Sequence, residues 1–427
     1  MELMRDHPLV LPDRPLDVAD LEEVVTTWGR EIQRQAVAAA WARQAAVRPA
    51  VPCPPCGGTD LRRAGHTSRT IETTFGPVRL SRQRQRCQDC GQHVQPDDAV
   101  LGPALGAGQC TPALRELAAL TGASWPYRSA ARVLGRLRGS PVSPETVRQA
   151  VAQTGAAVAA QHTAEAATAC LPPPGAPDTT QVRPDQLGVA RDGAWVRSHD
   201  NAEGMEAKLG VIHAGSERIG RTRTRLRERR YAATCHGVGT LGPLVTAAVV
   251  QRNGYEAPEQ TLLGDGAEWM WTLGTAIVTE ATPVLDRWHL ADAQARALRK
   301  AVPDAEERDV WAEQIATCLG KEDMAGARAV LAELATVTTH PAIPEFSAFL
   351  TGQAGRSPDD AARRAAGLPI GSGGVEKSVD IVVNRRFKGK RGMKWWRARA
   401  DEVLALRVAE LNGEWDQRLP SALIRHQ

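Results

Sequence analysis

Two pairs of cysteines constrain this chain more than any other feature. Cys53-Pro-Pro-Cys56 and Cys87-Gln-Asp-Cys90 flank the segment 57–86. Each Cys-x-x-Cys is a tight turn presenting two soft thiolates, and two such knuckles complete the tetrahedral shell of one zinc ion. Gly57 and Gly91 follow the pairs, where a knuckle needs backbone freedom. Between them, TSRTIETTFGPVRLSRQRQR alternates in polarity and reads as short strands around a Gly-Pro turn. The gap is wider than in a minimal ribbon, and an extra hairpin fills it. One structural Zn²⁺ on Cys53, Cys56, Cys87 and Cys90 is therefore expected. Cys110, Cys170, Cys235 and Cys318 stand alone and read as ordinary buried thiols.

A chain of 427 residues is too long for one ordinary domain. Its formal charge of +4 says little, but the distribution says more. Residues 218–230 hold seven arginines and one acid, and residues 385–399 hold eight basic residues and no acid. Basic stripes in a near-neutral chain suggest a polyanion bound along a defined track. No run approaches the ~18 apolar residues of a membrane span, and MELMRDHPLVLPDRP lacks the pattern of a secretory signal. A cytoplasmic protein without membrane partners is expected.

Along the chain, residues 19–47 read as one amphipathic helix ended by prolines. This gives an N-terminal helix over 1–48 and a zinc ribbon over 49–100. Residues 101–168 read as short helices. Thr111-Pro112 opens one that stops at Gly122, another stops at Gly139, and Ser143-Pro144-Glu145 opens a third. Helix, glycine-bearing turn and freshly capped helix is a helix-turn-helix pattern, with Thr146, Arg148 and Gln149 where base edges are read. LPPPGAP marks a linker over 169–186. LGVARDGAWV and EAKLGVIHAG then read as paired strands, HGVGTLGPLVTAAVVQRNG as a helix, and TLLGDG and TPVLD as strands ending in acids. That order fits a mixed sheet with flanking helices over 187–290. Residues 291–367 read as helical, and 368–427 as a final helical part.

Three acids sit in distinctive contexts. Asp192 lies inside a strand, where a charge is expensive unless paired or metal-bound. Asp265 sits in Gly-Asp-Gly at a strand end, and Glu376 follows the flexible Gly371-Ser372-Gly373-Gly374 near a helix start. Mg²⁺ or Mn²⁺ needs few carboxylates because it keeps its waters, and two such ions ~4 Å apart can drive an in-line displacement at phosphorus. Asp286 ends a strand and His289 opens the next helix.

DGAWV, GDGAEWMW, LDRWHL and GSGGVEKSVDIVVNRRFKGKRGMKWW together resemble the DD-E transposases of bacterial insertion sequences. The nearest groups are Kra-type and Lre-type elements, with Mutator-like transposases more distant. The resemblance covers most of residues 50–412. It implies a multidomain α+β protein whose RNase H-like α/β core is interrupted by an all-helical insertion. In such families the first acid lies on the first strand, the second after the fourth strand and the third on a late helix. These become Asp192, Asp265 and Glu376, with Asp286 and His289 matching the family's C/D-x-x-H motif. The zinc ribbon and helix-turn-helix become modules for the element's terminal repeats. The implied cofactors are Mg²⁺ or Mn²⁺, as two ions. The implied partners are double-stranded terminal-repeat and target DNA, with a homodimer or higher assembly at the bacterial nucleoid. Arg385, Arg386, Lys388, Lys390, Arg391 and Lys394 would hold phosphates, and Trp395 and Trp396 would stack on bases or DNA ends. The competing readings are an RNase H-like nuclease without strand transfer and a non-catalytic zinc-ribbon regulator.

Overall fold

The computed structural model describes residues 7–45, 47–48, 51–105, 109–170, 183–219, 224–371, 373–389 and 392–424. The LPPPGAP segment, Ser372, Lys390 and Arg391 lie outside the described residues. Two compact units are formed, by residues 1–158 with 414–427 and by residues 159–413.

In the first unit, α1 (Val18–Gln44) starts at Asp17, whose carboxylate accepts the Asp20 N–H. Its later turns bring Val37, Ala38 and Trp41 onto a small core of Ile71, Val78, Leu80, Leu101 and Leu105. That core lies on a hairpin of β1 (Leu61–Thr73) and β2 (Gly76–Cys87), with β3 (His93–Val94) pairing β2. The strands are longer than the short ones the sequence suggests. Ile71, Val78 and Leu80 face inward by alternation, Arg79 faces solvent, and Arg69 and Arg82, on the inward-facing register, are held by Asp98.

The helices α2 (Asp98–Leu105), α3 (Pro112–Ser124), α4 (Tyr127–Arg138) and α5 (Pro144–Ala169) follow. Thr111 caps α3 and Ser143 caps α5 by accepting the Thr146 N–H at 2.9 Å. Gly122 does not stop α3. A Cβ there would lie 2.6 Å from Val151, so this glycine lets α5 pack closely against α3. Gly139, in the left-handed region at φ 69, does end α4. A last helix, α15 (Trp415–Ile424), also belongs to this unit.

The second unit is built on a five-stranded sheet of β4 (Gln186–Val196), β5 (Met205–His213), β8 (Arg230–Thr234), β9 (Glu259–Gly264) and β10 (Thr282–Leu285). Its spatial order is β10-β9-β4-β5-β8. The β4, β5 and β8 strands are antiparallel neighbours, whereas β9 runs parallel to β4 and β10 parallel to β9. A small hairpin, β6 (Ser216–Arg218) with β7 (Thr224–Leu226), occupies part of the arginine stripe. The sequence reading missed β8, because this short strand starts inside the arginine run. It also missed α7 (Glu268–Ile277), between β9 and β10. With α6 (Val238–Val250), α7 contributes to a core containing Leu187, Val189, Ile212, Val245, Leu262 and Trp271.

After β10 come α8 (Arg287–Ala301), α9 (Ala305–Gly320), α10 (Met324–Val337), α11 (Ala342–Gly352) and α12 (Asp360–Ala365). Ile315, Leu319, Leu331, Leu334, Phe346 and Leu350 join the same core. Next, α13 (Gly373–Val379) passes into a π-helical turn, Asp380–Asn384, and on through Arg385–Phe387. Finally α14 (Arg397–Leu411) packs on β8.

One detail of pairing positions the acids. β4 pairs with β9 only over Gln186–Ala190 but with β5 through Val196. From Arg191 onward, β4 has no β9 neighbour, and Asp192 sits just past that point.

Candidate active site and zinc site

The cysteine knuckles converge. The Sγ atoms of Cys53, Cys56, Cys87 and Cys90 all lie within 4.8 Å of one another. Cys53 to Cys90 and Cys56 to Cys87 are each 3.6 Å. A tetrahedral zinc with ~2.3 Å bonds to sulfur has edges of about 3.8 Å, so the four could hold a structural zinc ion. The Cys90 backbone N–H, then that of Asp89, favours the Cys87 thiolate and brings its pKa down to about 7. Burial, then the neighbouring thiols, pushes Cys53 up to about 12. Zinc is the partner that makes thiolates of such thiols.

The acids meet at the free edge of β4. Asp192 is half-buried, and its Oδ1 accepts the Gly193 N–H at 2.6 Å. Burial is the main cause that raises its pKa, to about 6. The Asp265 and Glu376 charges add to the rise, while the Gly193 N–H and His289 oppose it. Those charges therefore act at one place, brought from β4, the β9–α7 turn, α8 and α13. Asp265 Oδ1 accepts the Ala267 N–H at 2.8 Å, which fixes that turn. Glu376 is exposed in the first turn of α13, a helix that packs on β4. Among the described residues, the four cysteines are the group of three or more His, Cys, Asp or Glu whose ligand atoms gather closely enough to hold one ion.

Asp286 is buried and caps α8, its Oδ1 accepting the His289 N–H at 2.9 Å. His289 Nδ1 lies 3.1 Å from the same oxygen. The Asp286 carboxylate is the main cause that raises His289 to about 9, with Asp265 and Asp192 adding and burial opposing. At neutral pH the ring is a cation facing carboxylates.

The basic segment divides. Arg385 and Lys388 are exposed, and Arg385 Nε pairs with Asp380 at 3.0 Å. Arg386 is 2% exposed and stacks its guanidinium 4.7 Å from the Trp395 ring. Trp395 is 7% exposed and packs on Phe387 at 4.8 Å, whereas Trp396 is 56% exposed and stacks on His199 at 5.1 Å. Lys394 is exposed. Thr146, Arg148 and Gln149 lie at the start of α5, half-buried, with Arg148 and Gln149 both bonded to Glu145. Trp311 is half-buried against the helical part of the core.

Sequence reasoning missed Arg407 of α14. Its Nε donates to Val382 O at 2.7 Å and its guanidinium reaches Ile381 O, so it satisfies carbonyls of the π-turn that follows Glu376. Nothing local in the sequence marks that role, because the contact spans two helices.

The sequence pattern of an uncharacterised protein family, UPF0236, matches residues 62–344. The chain belongs to this family. The family is associated with transposase-like proteins. None of the curated proteins matches the chain. The matched span runs from β1 to the first turn of α11 and contains Cys87, Cys90, Asp192, Asp265, Asp286 and His289, while Cys53 and Cys56 lie just before it. Glu376 lies beyond it. No helix among the described residues is long and apolar enough to cross a membrane.

Proposed function

We propose that this chain is a DD-E transposase. It binds the terminal repeats of its insertion sequence and carries out metal-dependent strand cleavage and strand transfer from an RNase H-like core interrupted by helices α8–α12. The observation that carries the reading is the electrostatic meeting of Asp192, Asp265 and Glu376 with His289 at the free edge of β4. In support, Asp192 lies on the first strand of the sheet, Asp265 just after its fourth in chain order, and Glu376 on a late helix. That is the placement expected of the family's three acids.

The donor set fits a hard divalent cation. Burial, with the Asp265 and Glu376 charges adding to it, disfavours the Asp192 carboxylate, and a cation relieves both costs. Asp192, Asp265 and Glu376 would hold Mg²⁺ or Mn²⁺. Bound there, such ions would activate the attacking oxygen and stabilise the leaving one. The protonated His289 would grip a phosphate oxygen, and Asp286 keeps it protonated. Arg385, Lys388 and Lys394 would lie along the DNA backbone. The zinc ribbon and helices α3–α5 would recognise the element end.

The test uses a labelled duplex carrying the DNA that flanks the gene, in excess Mg²⁺. Wild-type protein is expected to cut the end and join its 3′-hydroxyl to a second duplex, while Asp265→Asn binds the end but does neither. Cutting without joining would favour the simple nuclease. Binding without cutting in either Mg²⁺ or Mn²⁺ would overturn the proposal.

A further inference from the structure

The turn joining β4 to β5 holds a feature that this chemistry touches only through Lys394. Residues 197–204 are tied down by hydrogen bonds to the segment 395–397. Trp395 N–H donates to Arg197 O at 3.0 Å, His199 N–H donates to Trp395 O at 2.9 Å, and Arg397 N–H donates to Asp200 Oδ2 at 2.8 Å. Gly204, at φ +95, closes the turn, and a Cβ there would lie 2.8 Å from Val196 O. A cleft of about 420 Å³ is left, bounded by Trp195, Val196 and Gly204 and rimmed by Arg197, Glu203 and Lys394.

Its lining is unusual in one respect. Trp195 is 63% exposed, a large apolar ring left in water. The side chains of Arg197, Lys394 and Glu203 are exposed and make no hydrogen bond or ion pair with the described residues. An open aromatic face, two uncommitted cations and one uncommitted carboxylate match the parts of a nucleotide. The ring offers a stacking platform for a base, the cations neutralise its phosphates, and the carboxylate accepts from an exocyclic amine.

Position sharpens the match. Trp195 is three residues beyond Asp192, about 10 Å at ~3.3 Å per residue, or some three nucleotides at the ~3.4 Å rise of one DNA strand. Side chains alternate along a strand, so Trp195 points to the face opposite Asp192. A base-paired duplex lying on the acid face cannot reach it. A single nucleotide turned out of the duplex can, because β4 has no β9 neighbour beyond Ala190.

We propose that this cleft captures one unpaired nucleotide close to the scissile phosphate, with its base stacked on Trp195 and its phosphates held by Arg197 and Lys394. The inference rests on the DNA-cleaving reading above and adds the state of the DNA that the site selects.

The test compares two fluorescent duplexes of one sequence, one fully paired and one with a single bulged 2-aminopurine, without added divalent metal. Wild-type protein is expected to bind the bulged duplex roughly tenfold tighter, inside the range of about 5- to 150-fold that one stacked base contributes, and to quench the 2-aminopurine. Trp195→Ala should lose both the preference and the quenching yet bind the paired duplex as before, since so exposed a ring contributes little to folding. Trp195→Phe should keep part of each. A Trp195→Ala protein that retains the preference would overturn this inference alone. A wild-type protein that binds neither duplex would overturn the DNA-cleaving reading with it.

Discussion

His289 Nδ1 sits 3.1 Å from Asp286 Oδ1, and that same oxygen accepts the His289 backbone N–H at 2.9 Å. One buried carboxylate thus starts α8 and fixes the charge of the ring at the acid site. A histidine raised to about 9 from its ordinary 6.5 adds stability that is fully present below pH 6.5 and is lost as pH rises through about 9. Replacing Asp286 with Asn removes the main cause. The His289 ring in metal-free protein should then titrate near or below its ordinary value, and the loss of stability between neutral pH and about pH 10 should shrink. Ring titration by NMR reads the first effect and urea unfolding at the two pH values reads the second. A midpoint still near 9 in Asp286→Asn would show that Asp265 and Asp192 set the charge instead.

Loss of zinc is the second expectation. Cys87→Ser removes the ligand whose thiolate forms most readily, and the remaining thiols need the ion to ionise. The variant should contain no zinc by metal analysis, and proteolysis should open the hairpin between Leu61 and Cys87, because ribbon folding is coupled to metal binding. Wild-type protein purified without chelators yet free of zinc would remove the ion from this site.

How far the sequence could be read follows from the range of each signal. The knuckles, the strand around Asp192 and the Asp286-x-x-His289 step are local patterns, and each is legible in the sequence. Pairing partners are not. Nothing in RYAAT announces a sheet strand, since its neighbours in the chain are arginines and its pairing is with β5. The Trp395-Trp396 pair shows the other limit. Side by side in sequence, one packs on Phe387 and Arg386 while the other stacks on His199, and only the fold separates them. Arg386 likewise looks like its basic neighbours but lies beneath the surface.

Acid sensitivity should come from His213. Its ring is fully buried over Gly188, where a Cβ would lie 2.0 Å from Cε1, and Nδ1 is 3.1 Å from Gly215 O. Burial drives its pKa down to about 4, so the unfolded chain binds this proton first. Stability should therefore fall as pH drops from about 6.5 toward 4. His213→Phe, of similar flat shape, should flatten that slope. Gly188→Ala should cost about 1–3 kcal/mol at any pH through overpacking. Urea unfolding of the three proteins across this range is the measurement, and an unchanged slope in His213→Phe would place the sensitivity elsewhere.

Arg407 should matter to activity without approaching the DNA-cutting groups. It bonds Val382 O and Ile381 O in the π-turn, one turn beyond Glu376. Arg407→Met keeps the stem but leaves buried carbonyls unpaired, at about 1–3 kcal/mol each. The turn should relax toward a regular helix, rotating Glu376 relative to Asp192. Strand cleavage should drop by at least tenfold, with DNA binding unchanged. Restored cleavage in Arg407→Lys, which returns a donor, would tie the loss to those carbonyls; equal cleavage in Met and wild type would show that the π-turn does not position Glu376.

The last expectation concerns the conflict between folding and chemistry at Asp192. Burial, with Asp265 and Glu376 beside it, raises this carboxyl to about 6 against an ordinary 3.8. A raised acid binds its proton in the folded state first, so metal-free protein should gain stability from this group as pH falls from about 7 toward 4 and should carry its full cost above pH 6. Asp192→Asn removes the charge but keeps an oxygen for the Gly193 N–H. At neutral pH without divalent metal, the variant should melt a few degrees above wild type. Excess Mn²⁺ should reverse the order, because a cation that binds only the folded wild-type site stabilises it by mass action and the amide has lost the affinity. Melting curves with and without Mn²⁺, on zinc-loaded protein throughout, decide the matter. An Asp192→Asn protein that is less stable without metal, and just as responsive to Mn²⁺, would mean that this carboxylate is not held charged for a cation.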